Sequence, residues 1–133
     1  MRAGVAKVCI TPPVGAWQGG YGARDRPSEG VHDDLFVRAL VLESEEDGGT
    51  RGAIVSVDVV TLTHELAEGA RRRAGETTGI PAGNIALCAS HTHGARRPGP
   101  TARRAPGRTR TICGSWSNTW PARWRPRRGS CAR

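Results

Sequence analysis

Asn84-Ile85-Ala86-Leu87-Cys88-Ala89-Ser90-His91-Thr92-His93 is the stretch from which a fold can be built. Its apolar run, Ile85 to Ala89, has the length and composition of a buried strand, and two histidines one residue apart follow it. In an extended chain, residues i and i+2 project to the same face. His91 and His93 should therefore leave the strand end together. Imidazole is the commonest metal-binding side chain, so such a pair is a candidate zinc site. Two polar histidines at a strand end with no ligand would read the same way. The spacing alone does not separate the two.

The residues before this stretch make its setting specific. Ala53 to Val60, Ala-Ile-Val-Ser-Val-Asp-Val-Val, has the most buried composition in the chain and predicts a strand. A helix is expected from about His64 to Thr77, capped by Thr61 or Thr63. Glu65 and Glu68 fall in its first turns and Arg71 to Arg73 in its last, a polarity that complements the helix dipole. Leu62, Leu66, Ala70 and Ala74 form a thin apolar stripe at helical spacing, and Gly79-Ile80-Pro81 stops the helix. Strand, helix, strand predicts a βαβ unit, with its parallel pair and right-handed crossover. Ligand sites in such sheets lie off the carboxyl ends of the strands. His91 and His93 sit there and, more loosely, so do Asp58 and Thr61. A carboxylate such as Asp58 inside a strand is costly unless it is paired, hydrogen-bonded or metal-bound. Structural and functional readings of it stand side by side.

Further upstream, Val5 to Ile10 is a β-rich run closed by Thr11-Pro12-Pro13, where two backbone donors are missing and pairing must end. Leu35 to Glu43 predicts a half-buried strand interrupted by Arg38, which either reaches an edge or is paired. The acidic, glycine-bearing turn from Glu45 to Gly52 joins it to the next strand as a hairpin. Gly15 to Gly22, Gly-Ala-Trp-Gln-Gly-Gly-Tyr-Gly, carries four glycines in eight residues. Such a loop adopts unusual backbone angles or approaches something closely. It is either a surface loop anchored by Trp17 and Tyr21 or the rim of a binding cleft.

Charge divides the 133 residues into two unlike parts. Residues 1–93 hold nine Lys or Arg against twelve Asp or Glu, a net of −3. Residues 94–133 hold eleven Arg and no acid, a net of +11, with three of the four Trp and no Leu or Val. The expected organisation is α/β: a mixed-sheet piece containing the βαβ unit over 1–93, then a basic tail over 94–133 that has no core and is expected to be disordered. Cys9 and Cys88 lie in apolar runs and should behave as small buried hydrophobes. The first residues, Met-Arg-Ala-Gly-Val-Ala-Lys-Val, lack a signal-peptide pattern, and no apolar stretch has membrane-spanning length. A cytoplasmic protein is the default expectation.

Several motifs, in order, carry a resemblance. Ala3-Gly4-Val5-Ala6-Lys7-Val8, Ile10-Thr11-Pro12-Pro13, Gly20-Tyr21-Gly22, Gly30-Val31-His32-Asp33 and Arg38-Ala39-Leu40-Val41 resemble the N-terminal part of the neutral/alkaline non-lysosomal ceramidase family. Ala53-Ile54-Val55-Ser56-Val57-Asp58 and Ala89-Ser90-His91-Thr92-His93 continue the same order. The resemblance implies a Zn²⁺-dependent amidase that splits ceramide, an N-acyl lipid, into sphingosine and a fatty acid. It makes His91 a zinc ligand and puts His93, as a catalytic residue, beside the scissile carbonyl. The family's zinc also takes a second distant His, a Glu and a Tyr, for which this chain offers no matching position. A chain of this kind is therefore expected to be inactive as encoded. Other His-x-His metal hydrolases fit less well. Amidohydrolase-type barrels place the pair on their first strand, and metallo-β-lactamase-type sites continue as His-x-His-x-Asp-His. A structural zinc site of Cys88, His91, His93 and Cys113 would need an irregular spacing.

The family continues His-Thr-His with a small residue and Gly-Pro, whereas here Gly94-Ala95-Arg96-Arg97 follows. A tail of Arg, Pro, Gly, Ala and Trp without acids has the composition of a GC-rich gene read out of frame. Taking the third base of one codon with the first two of the next permits Gly-Pro across Gly94 to Arg96. The same shift across Arg110 to Arg125 permits an amphipathic helix rich in Leu. The competing reading is an Arg-rich nucleic-acid-binding arm, with Trp116, Trp120 and Trp124 stacking on bases and Arg on phosphates. Its charge would bind polyanions non-specifically in either case. Resequencing the gene across the codon for Gly94 tests the shift. A one-base discrepancy near that codon is the expected result, and an uninterrupted frame contradicts it.

Overall fold

Antiparallel pairing from the first strand onward assembles a sheet before the helix is made. The computed structural model describes residues 1–46 and 48–96, together with the backbone of 114–116. The elements are β1 (Arg2–Cys9), β2 (Phe36–Glu43), β3 (Arg51–Val57), α1 (His64–Thr78), β4 (Ile85–Ala89) and β5 (Gly114–Trp116), with a 3₁₀ turn at Ala82–Asn84. Their order across the sheet is β4-β3-β2-β1-β5. β2 pairs antiparallel with both β1 and β3, as the hairpin pattern predicts. β3 and β4 are parallel, with Ala53 opposite Ile85 and Val57 opposite Ala89. This is the expected βαβ unit in a mixed sheet.

Two polar stitches set where strands begin and end. Thr11 Oγ1 donates to Asp34 Oδ1 at 2.7 Å and accepts from the Leu35 N–H at 2.9 Å. That ties the exit of β1 to the entry of β2, next to the two prolines that end pairing. Asp58 performs the same task one strand over. Its Oδ2 accepts from the Phe36 N–H and from Arg38 Nη1, each at 2.9 Å. Arg38 is thus paired, and its guanidinium also lies over the Phe36 ring, 5.0 Å from the centroid. β3 stops at Val57, three residues before the expected end. There the Asp58 N–H bonds to Phe36 O and the Val59 N–H turns back to Val57 O, so the ladder is not extended.

The helix begins and stops where the sequence predicts, at Thr63 and Gly79. Thr63 Oγ1 accepts from the Leu66 N–H, and Gly79 caps the far end at φ 72° with its N–H on Gly75 O. Only glycine takes that left-handed position without strain. The last turn therefore holds no basic residue, and Arg71 to Arg73 lie mid-helix. The apolar stripe is also displaced. Leu66 is 56 % exposed and Ala70 is exposed, while Ala67, Arg71, Ala74 and Thr78 lie on the less exposed face. Arg71 Nε donates to Ile85 O at 3.0 Å, so a cation lies on the sheet-facing side of the helix.

The core is small. Ala53, Ile80 and Ile85 are buried, and Val41, Val55, Ala74 and Leu87 pack against them. Strand alternation puts Val5, Leu40, Leu42, Ile54 and Ala86 on the opposite face, where Ile54 is 53 % exposed. Cys88 shares that face and is exposed, contrary to the buried role expected of it; Cys9 is half-buried. Structure continues three residues past the boundary expected at 93, because Ala95 is 1 % exposed and Arg96 bridges to Gln18. Gly114–Trp116, within the tail, is a strand against β1, with Trp116 opposite Ala6. Trp120, Trp124 and the other tail residues lie outside the described residues.

Two stability measurements check this packing. Ile85→Ala empties the middle of the only cluster described and should cost about 2–5 kcal/mol in denaturant unfolding. Ile54→Ala, on the open face, should cost less than about 1 kcal/mol. Burial by itself raises the Asp58 carboxyl, yet the Phe36 N–H, the Arg38 guanidinium and the Ser90 hydroxyl together hold it below its ordinary value. A depressed value stabilises the fold above the unfolded pKa of about 3.9, and the benefit disappears as pH falls through the folded value. Asp58→Asn should therefore cost about 1–3 kcal/mol at pH 7. Unfolding repeated at pH 3 should show that difference shrinking.

Candidate functional site

The two histidines meet, but not by the route an extended strand would give. β4 ends at Ala89, and the Ser90 N–H bonds across to Val57 O at 3.0 Å. His91 then turns into the left-handed region at φ 59°, the one non-glycine residue to do so among the described residues. This conformation costs about 1–3 kcal/mol for a residue with a Cβ. It persists because its surroundings determine it. His91 Nδ1 lies 2.7 Å from Val60 O, in the segment that follows β3. A carbonyl only accepts, so Nδ1 carries the proton, and in the neutral ring Nε2 keeps its lone pair. The rings of His91 and His93 stand 5.1 Å apart at 69° to one another.

His93 is enclosed by the glycine-rich loop. Its ring meets Tyr21 edge-on, with centroids 4.7 Å apart and planes at 81°. Gly20, at φ 96°, lies directly under the imidazole. A Cβ placed there would stand 2.7 Å from His93 Cβ and Cδ2 and closer still to Cγ. Arg24 Nη1 donates to His93 O at 3.0 Å and to Gly19 O at 3.4 Å. Gln18 Nε2 donates to Gly94 O, and the Gly19 N–H to Ala95 O, each at 2.9 Å. The loop is thus the rim beside the histidine pair rather than a detached surface loop. Trp17 and Tyr21 do not anchor it by burial, since both are more than half exposed.

The remaining candidates separate from this pair. Asp58 is committed to the β2–β3 stitch, and its contact with Ser90 brings it to the residue before His91 without giving it a free oxygen lobe toward the rings. Thr61 is exposed, and the helix takes Thr63 as its cap. Cys88 points to the open sheet face, and Cys113 lies outside the described residues. Among the described residues, no group of three His, Cys, Asp or Glu stands where it could hold a metal ion. What the site offers is one imidazole oriented through its Nδ1, and a second imidazole with its ring centroid 5.1 Å away. Such a pair can donate to a metal or hold a proton near a carbonyl. Sequence reading missed Gln18, Arg24 and the Val60 carbonyl, because bonds made to backbone oxygens leave no spacing pattern. The cluster of glycines around Gly20 was the only hint of a close approach.

No family model matches the chain. The neutral ceramidases of Drosophila pseudoobscura pseudoobscura and Drosophila melanogaster are each 34 % identical over 97 residues, covering 71 % of this chain and 14 % of the relative. The neutral ceramidase structure from Pseudomonas aeruginosa superposes with a TM-score of 0.63 at 24 % identity, over 71 % of this chain and 15 % of that one. A ceramidase complexed with C2 gives 0.62 at 27 % identity, over 72 % and 15 %. The sequence and structure comparisons cover nearly equal shares of the chain. The protein therefore carries a segment of the neutral ceramidase family and spans 14 % of the length of the curated relatives it matches.

Proposed function

We propose that this chain carries the metal-ligating strand end of a zinc-dependent amide hydrolase whose substrate is a ceramide-like N-acyl lipid. The observation that carries the reading is the His91 Nδ1–Val60 O bond. Ligating histidines characteristically donate their other ring nitrogen to a carbonyl or carboxylate, which fixes the tautomer and aims the ligand nitrogen. His91 has that arrangement, and a strained backbone is spent on holding it. The names of the relatives, all ceramidases, supply the substrate class.

In this reading His91 offers Nε2 to zinc. When bound, the metal polarises the amide carbonyl and lowers the pKa of water. His93, held 5.1 Å from the His91 ring, is the group beside the scissile carbonyl, where a donor stabilises negative charge developing on oxygen. Open catalytic zinc sites take three protein ligands. His91 is one, and the described residues supply no cluster of three. The chain as encoded should therefore not turn over amide by itself.

An amidase assay on a fluorescent ceramide, with and without zinc, tests this on the chain and on a frame-restored gene. No turnover is expected from the chain. The restored protein should hydrolyse the amide, lose activity to a chelator, and lose at least about 100-fold on His91→Ala. Hydrolysis by the chain as written, or a restored enzyme indifferent to chelator, would contradict the proposal.

A further inference from the structure

The glycine-rich loop places more constraint on His93 than a rim needs to. Gly20 lies under the imidazole, where a Cβ would overlap the His93 side chain, and its φ of 96° independently excludes other residues. Tyr21 meets the same ring edge-on at 4.7 Å. Arg24 holds the His93 carbonyl at 3.0 Å, ties it to Gly19 of the loop, and lies 5.2 Å from the centroid of Tyr21. Floor, wall and backbone of one histidine thus come from three residues within one short loop, more than sixty residues upstream.

We infer that Gly20, Tyr21 and Arg24 are positioning residues for His93, setting its ring at a steep angle to that of His91. A bare imidazole on a turn would sample several rotamers, and each staggered well sends the ring elsewhere. Gly20 beneath and Tyr21 alongside both contact the ring in the orientation observed. Edge-to-face packing adds to the effect of buried area and biases the rotamer several-fold. Arg24 acts on the other half of the problem: it fixes the peptide from which the side chain departs. The three residues act through His93. Their use in catalysis rests on the reading that His93 stands beside the reacting amide, but the packing itself requires no metal.

Nuclear magnetic resonance on the full, metal-free chain tests this independently of zinc and of activity. A cross-relaxation peak between the Tyr21 and His93 ring protons is expected in the unsubstituted chain. Tyr21→Ala should shift the His93 ring signals by loss of the ring current, leave His32 and His64 unmoved, and keep the β3 amide pattern. Tyr21→Phe should restore the original position, because the ring edge and not the hydroxyl makes the contact. Absence of the cross-peak, an unmoved His93 signal in Tyr21→Ala, or no rescue by phenylalanine would overturn the assignment. Failure of zinc to bind would leave these three results standing. Conversely, zinc binding with a freely rotating His93 would remove the positioning role alone.

Discussion

The bond from His91 Nδ1 to the Val60 carbonyl is the contact on which the site depends. It joins the end of β4 to the segment leaving β3, so it exists only if those strands run parallel and in the register that sets Val57 opposite Ala89. It also offsets the cost of a left-handed histidine, about 1–3 kcal/mol, which a solvated side chain would not recover. Ser90 before the histidine and His93 to Ala95 after it are tied down separately, so this bond is what fixes the His91 ring itself. Sheet topology, backbone strain and ring tautomer are therefore one linked arrangement rather than three features.

The rest of the described structure is thin by comparison. Parallel strands are normally covered on both faces. Here α1 covers one, while Val5, Leu42 and Ile54 stay exposed on the other. The chain spans only 14–15 % of the relatives it resembles. The open face also carries Lys7, Arg38 and Ser56, in register across three strands. Two hydrogen-bonded stitches, at Thr11–Asp34 and at Asp58, supply order where buried area is scarce.

The fold was legible where periodicity and chain punctuation agree. The parallel pair followed from apolar runs around Ala53 and Ile85 and from Gly79 and Pro81 between them. The helix face was only partly legible: of the stripe Leu62, Leu66, Ala70 and Ala74, packing kept Ala74 against the core, left Leu66 and Ala70 exposed, and brought Ala67 and Arg71 to the less exposed side. An arginine that spends its Nε on Ile85 O has no signature in sequence. Asp58 could be named but not assigned. Its stitch across β2 needs the register, which local pattern does not give. The histidines were found from spacing, yet their meeting comes from a turn at His91 that period-two reasoning excludes. Arg24 and Gln18, bonded to carbonyls some seventy residues away, were invisible for the same reason.

The central claim is that the Val60 carbonyl holds the His91 ring in the tautomer protonated at Nδ1, which leaves Nε2 bare. A long-range proton–nitrogen correlation spectrum of the metal-free chain at neutral pH reads this directly, since the two ring nitrogens resonate apart according to which carries hydrogen. With the Val60 carbonyl as acceptor, His91 should show the tautomer protonated at Nδ1, and replacing His91 by Asn should remove that signal set alone. A His91 ring protonated at Nε2, or one averaging between tautomers, would contradict the claim.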